Sequence, residues 1–120
     1  MKSYKDLEIY KEAFMLAVEI YNKSIQLPYP DKTETGSQLR RSSQSVKDNI
    51  VEGYGRRKYK ADFIRFLVFS HASLLEATSQ SDFLNAIHEN TGWNIISEKL
   101  NNLGIKIYNF ILYVEKNWKT

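Results

Sequence analysis

Residues Phe63-Ile64-Arg65-Phe66-Leu67-Val68-Phe69-Ser70-His71-Ala72-Ser73-Leu74-Leu75-Glu76-Ala77-Thr78-Ser79-Gln80-Ser81-Asp82-Phe83-Leu84 carry one row of apolar or small side chains: Phe63, Leu67, Ser70, Leu74, Ala77, Ser81 and Leu84. The steps alternate between four and three, the spacing of one face of a long helix packed against other helices. Phe66, Phe69 and Ile87 broaden the row. Ser70, Ser73 and Ser81 are small enough for a neighbouring helix to approach closely. The helix is expected from about Tyr59 to His88, where Glu89-Asn90-Thr91-Gly92 breaks it.

The same periodicity recurs on both sides. Downstream, Trp93, Ile96, Leu100, Leu103, Ile107, Phe110 and Val114 predict a helix over about Trp93–Trp118, with Gly104 inside it marking a close helix contact. Upstream, Leu39, Ser43, Val46 and Ile50 predict one from about Gly36 to Gly53, opened by a Thr35–Gln38 capping box and ended by glycines that tolerate positive φ. The first segment, Asp6 to Leu27, shows Leu7, Tyr10, Phe14, Ala17, Val18, Tyr21 and Ile25 as its main stripe, widened by Ile9, Ala13, Leu16 and Ile20. Asp6 is its expected N-cap, and Pro28 and Pro30 stop it. Four helices with short connections predict an all-α, antiparallel up-down-up-down four-helix bundle, a single domain over residues 1–120. Phe66, Phe69, Ile105, Tyr108 and Leu112 leave the apolar faces wider than one stripe, which predicts self-association.

Composition removes several classes of function. With no cysteine, disulfides, thiol catalysis and cysteine-ligated metals are out. The residues three before His71 and His88 are Val68 and Asn85, so the Glu-x-x-His pairs of a di-iron bundle are missing. No metal or cofactor is expected. No apolar run reaches membrane-spanning length, and the charged start lacks the apolar core of a signal peptide, so the expected location is the cytoplasm.

The net charge of +3 is uneven. Between Gly36 and Arg65, eight basic residues (Arg40, Arg41, Lys47, Arg56, Arg57, Lys58, Lys60 and Arg65) face three acidic ones, a local +5 that leaves −2 for the other 90 residues. The densest part precedes the third helix, whose N-terminal amides would add to it, a combination suited to phosphates. Tyr54 and Tyr59 would stack on bases there. The other reading is a solvated turn with packing tyrosines. Beside the apolar row of the second helix runs a polar one, Gln38, Ser42, Ser45, Asn49 and Glu52, which either lines a groove or inter-subunit channel, or fixes register through interhelical hydrogen bonds from Asn49 and Glu52 while the serines let helices approach closely, with Arg40 or a basic side chain on a neighbouring helix satisfying Glu52. Glu76 is grouped with Gln38, Asn49 and Glu52 as structural polar residues.

The stretch Gln38-Leu39-Arg40-Arg41-Ser42-Ser43-Gln44-Ser45-Val46-Lys47-Asp48-Asn49-Ile50-Val51-Glu52-Gly53-Tyr54-Gly55-Arg56-Arg57 resembles the signature of the bacterial four helix bundle protein family. Members are encoded in intervening sequences of some large-subunit ribosomal RNA genes, and their ribosomal-protein label rests on that location. The accessory variability determinant of diversity-generating retroelements belongs to the same group. Tyr4–Ala13, Phe63–Leu67 and Ser73–Glu76 are similar to its first and third helices. Lys47 stands where the family commonly has proline, and Ser42 and Ser43 where it has alanines, which makes this second helix more polar and basic. The resemblance implies a homopentamer and no enzymatic activity. In the retroelement branch it implies RNA or DNA and a reverse transcriptase as partners. Arg40, Arg41, Arg56 and Arg57 fall on motif positions, whereas Lys47, Lys58, Lys60 and Arg65 are added from charge.

Two further functions compete with nucleic-acid binding: a protein-interaction scaffold, and a ribonuclease. The latter rests on Arg65 and His71, which resemble the Arg-x(4–6)-His motif of HEPN domains. Six residues of helix turn through about 600°, however, leaving the two side chains about 120° apart.

Overall fold

All seven residues of the Phe63–Leu84 row are buried, and they lie on one helix. The structure, a computed structural model, describes residues 2–119. It contains four helices: α1 (Glu8–Ser24), α2 (Thr35–Gly55), α3 (Lys60–Ile87) and α4 (Trp93–Asn117), with a 3₁₀ turn over Tyr4–Asp6. No strand occurs among the described residues. The helices form an elongated bundle, 48 × 20 × 19 Å.

Side-chain partners show the antiparallel order. Between α2 and α3, Ser42 Oγ donates to Gln80 Oε1 (2.6 Å), Ser45 Oγ meets Ser73 Oγ (2.8 Å) and Ser70 Oγ donates to the Val46 carbonyl (2.7 Å). As one set of numbers rises, the other falls. Between α3 and α4, Ser81 Oγ reaches Ser97 Oγ (2.8 Å) and the Trp93 carbonyl (3.1 Å), while Leu74 meets Gly104. Between α1 and α4 the contact is looser and carries two ion pairs, Lys99–Glu19 (2.9 Å) and Lys106–Glu12.

Small residues set the spacing in these seams. A Cβ on Gly104 would lie 2.8 Å from Leu74 Cδ2, so α4 crosses α3 at a distance that only glycine permits without repacking. The serine hydroxyls bury polar atoms, yet no buried side-chain nitrogen or oxygen lacks a partner among the described residues. That satisfaction matters, because an unpaired buried group costs about 1–3 kcal/mol.

Five local expectations change. In α1 the core consists of Ile9, Ala13, Leu16, Ala17, Ile20 and Ser24, whereas Phe14, Val18, Tyr21 and Ile25 are exposed. The two rows are interleaved at helical spacing, so periodicity alone does not say which faces inward. Asp6 caps the 3₁₀ turn with Ser3 rather than α1, whose N-cap is Leu7. Thr35 is the first helical residue of α2, and its N-cap, Glu34, makes no side-chain cap bond. The Gly53-Tyr54-Gly55 stretch stays helical, and positive φ occurs instead at Asn90 and Gly92 in the α3–α4 turn. In α4, Ile111 is buried where Phe110 is only half-buried.

The α1 register makes a sharp prediction. Ile20→Ala should lower stability in urea melts by roughly 2–5 kcal/mol, as for a buried aliphatic. Its neighbour Tyr21→Ala should cost less than about 1 kcal/mol. The reverse order would show that the other row is the core.

Candidate nucleic-acid interface

The basic residues converge at one end of the bundle, where α2 turns into α3. The turn is tight: Arg56 N–H donates to the Gly53 carbonyl (3.0 Å), Arg57 N–H to Tyr54 (3.2 Å) and Tyr59 N–H to Arg56 (2.9 Å). Gly53 permits it, since a Cβ there would stand 3.3 Å from the Phe63 ring, the Phe63 carbonyl and Phe66 Cβ. The end of α4 pins the turn from the side. Trp118 Nε1 donates to the Arg57 carbonyl (2.9 Å) and its ring packs edge-on against buried Phe63 (centroids 5.1 Å apart). Lys60 Nζ donates to the Glu115 carbonyl (2.6 Å). The N-terminal turn adds Tyr4, whose ring meets Tyr10 and Tyr54.

Cations and aromatic rings alternate on this corner. The Arg57 guanidinium lies 3.9 Å from the Tyr54 ring centroid and donates to the Tyr54 carbonyl (3.0 Å). Arg56 and Arg65 both approach the Phe66 ring, at 4.6 and 5.3 Å. Lys58 lies 5.7 Å from the Tyr59 ring. Two of the corner's arginines pair with carboxylates: Arg56 with Glu52 (3.3 Å) and Arg65 with Asp62 (3.3 Å). Both pairs are exposed, and such pairs contribute only about 0–1 kcal/mol, so either arginine is easily drawn to a phosphate.

The other predicted cations lie elsewhere. Arg40 and Arg41 lie 16 and 15 residues before Arg56, the C-cap residue of α2, about 22–24 Å away along the helix axis. Arg40 ties α2 to the far end of α1, donating to Ser24 Oγ (2.9 Å) and the Lys32 carbonyl (2.9 Å). Arg41 is exposed. Lys47 lies mostly covered between these ends and pairs with Asp48 (2.8 Å). The window that reads as one +5 segment therefore divides into a basic corner, Arg56, Arg57, Lys58, Lys60 and Arg65, and a distant group with Arg40 in a bracing role.

The polar row holds register, but through other residues than expected. Ser42 and Ser45 make the bonds to α3. Asn49 Nδ2 turns back within α2 to the Ser45 carbonyl (2.9 Å), and Glu52 is satisfied by Arg56 one turn on, not by Arg40 or another helix. Gln38 and Glu76 are exposed, and neither side chain makes a hydrogen bond or ion pair among the described residues. Arg65 and His71 diverge: His71 packs toward Tyr108 on α4 (centroids 6.3 Å apart), whereas Arg65 sits on the corner. No group of three or more His, Asp or Glu side chains fit to hold a metal occurs among the described residues. No described helix is long and apolar enough to cross a membrane. Phe66, read from sequence only as a packing residue, emerges as the ring shared by two guanidiniums. Its position one residue after Arg65 was the sole local hint.

The architecture is thus a small four-helix bundle whose basic, aromatic-lined end is built from the α2–α3 turn. The model of the 23S rRNA-intervening sequence protein family matches residues 5–111, and the chain belongs to that family. A crystal structure of a protein with unknown function from the S23 ribosomal protein family of Bacteroides thetaiotaomicron has the same fold, with a TM-score of 0.77 and 21% sequence identity over 86% of this chain and 94% of that one. No curated protein matches the chain.

The N-terminal turn that carries Tyr4 to the corner is pH-sensitive in a defined sense. The backbone N–H of Lys2, and less strongly that of Ser3, holds the Asp6 carboxyl below the usual carboxylate range. A depressed folded-state value means the contribution is present at neutral pH and is lost as pH falls through that value. The Lys2 and Ser3 amide resonances should titrate together below the usual carboxylate range, and Asp6→Asn should abolish that titration.

Proposed function

We propose that the protein is a non-enzymatic, homo-oligomeric accessory factor that binds RNA or DNA through its basic corner. The observation that carries this reading is the gathering of five cations with the rings of Tyr59 and Phe66 at the corner where α2 meets α3, Tyr54 lying buried beneath Arg57. Cations neutralise phosphates and release counterions, while aromatic and guanidinium planes stack on bases. The first turn of α3 supports it, since its N-cap residue Tyr59 makes no side-chain cap bond and the amides there add positive dipole. Binding rather than catalysis is favoured by the divergence of Arg65 and His71, which keeps the imidazole of the Arg-x(4–6)-His pair away from the corner's arginines.

Self-association is supported by two apolar strips on different sides of the bundle. One is Phe14, Val18, Tyr21 and Ile25 on α1. The other is Val68 and Leu75 on α3 with Ile105, Tyr108 and Leu112 on α4. Strips on different faces mate head-to-tail, and a closed ring such as the pentamer implied by the family resemblance satisfies both in every subunit. The same strips favour the second reading, a scaffold for another protein.

Four measurements check these proposals. Affinity for RNA and DNA should fall steeply between 50 and 200 mM salt, on the order of tenfold or more for a few phosphate contacts. Arg56→Glu with Arg57→Glu should abolish binding, and unchanged affinity would remove the corner from the interface. Ile105→Asp with Leu112→Asp should convert the oligomer to a folded monomer by light scattering and circular dichroism. A pull-down partner that survives nuclease and high salt would favour the scaffold.

A further inference from the structure

Resting on the nucleic-acid reading above, we infer that the corner selects unpaired nucleotides over duplex, with Tyr59 as the platform on which a base stacks. Tyr59 is the N-cap residue of α3, and its backbone is held on both sides: its N–H donates to the Arg56 carbonyl (2.9 Å) and its carbonyl accepts from Phe63 N–H (3.0 Å). Its ring is nevertheless 58% exposed and contributes nothing to the hydrophobic core. Rigid anchoring of an exposed ring suits it to stacking, because little motion is lost when a base covers it. Tyr54 differs: it is buried, with Tyr4 beside it and Arg57 over it.

The surroundings of Tyr59 fit a strand with its bases splayed out. Lys58 lies beside the ring, and the half-exposed guanidiniums of Arg56 and Arg65 flank Phe66 nearly two turns into α3. A guanidinium plane both stacks on an unpaired base and pairs with the phosphate next to it. In a duplex the base faces are already stacked on one another, so Tyr59 would have nothing to engage. The footprint points the same way. The five cations occupy one end of a bundle about 20 Å across, and Arg40 and Arg41 stand far along the axis. A compact cluster suits a few consecutive nucleotides of one strand, whereas duplex recognition favours contacts spread over two backbones.

The test uses the full chain with fluorescein-labelled single-stranded oligo-U and oligo-dT and a duplex of equal phosphate count, by anisotropy at low salt. Both single strands should bind about tenfold or more tightly than the duplex. Tyr59→Ala should remove about tenfold of single-strand affinity, the size of one lost base stack. Its duplex affinity, the slope of affinity against salt and the circular dichroism spectrum should be unchanged, and Tyr59→Phe should bind like the parent. Equal affinity for duplex and single strand, or wild-type single-strand binding by Tyr59→Ala, would overturn the preference while leaving the corner as a phosphate site. Failure of the parent chain to bind any of the three at low salt would overturn the nucleic-acid reading itself.

Discussion

The Ser70 hydroxyl, buried between two helices and donating to the Val46 carbonyl at 2.7 Å, expresses the constraint on which the bundle depends. That bond forms only if α3 lies close against the α2 backbone, and the distance is set by small side chains along the seam. Ser42, Ser45 and Ser73 repeat the arrangement along α2 and α3, and Ser81, Ser97 and Gly104 repeat it on the α4 side. A large side chain at these positions would push the helices apart and orphan the hydroxyls that remain. The hydroxyl bonds add direction to an apolar seam that would otherwise tolerate sliding, because a buried polar group is favourable only when paired.

The corner inherits its geometry from that seam. Once α2 and α3 are in register, Gly53 sits against Phe63 and Phe66, and only a short turn is left to join the helices. Arg56, Arg57, Lys58 and Lys60 then leave that turn in a narrow region of space, whatever their mutual repulsion. Rings offset part of the repulsion: Tyr54 under Arg57, and Phe66 shared by Arg56 and Arg65. Trp118, donating to the Arg57 carbonyl while packing on Phe63, links this surface to the core. The backbone that carries the cationic surface is therefore held by the fold, through the turn's own hydrogen bonds and through Trp118.

Much of the fold was legible because α3 is unambiguous. Its row alternates in one strict register, and every predicted member is buried. Helix α1 was not legible at the same level, since Tyr10, Phe14, Tyr21 and Ile25 form as regular a row as Ile9, Ala13, Leu16 and Ile20. Only the small Ala13 and Ser24 hint at which row must fit between neighbours. The glycines of Gly53-Tyr54-Gly55 were misread for a related reason. A glycine at a helix end has two uses, positive φ and close approach, and the choice depends on whether a partner helix is near. At the site, the dense Arg56–Lys60 run was legible as a cluster because adjacency in sequence is adjacency in space. The union with Arg40, Arg41 and Lys47 was not sound, because a helix carries residues 9 to 16 positions apart about 13–24 Å along its axis, well away from the corner.

The exposed apolar row of α1 has a consequence for how the molecule works. Phe14 meets Tyr10, Tyr10 meets Tyr4, and Tyr4 meets Tyr54, whose ring carries Arg57. A contiguous line of aromatic rings thus runs from the apolar strip to the basic corner. If a second copy covers that strip, Phe14 is immobilised, and the line behind it loses freedom up to the ring under Arg57. Under the proposed function, order gained at such an interface would reduce the entropy still to be lost when the corner binds a ligand, which would couple assembly to binding without any change of shape. By linkage the reverse holds as well: whatever orders the corner favours assembly to the same degree.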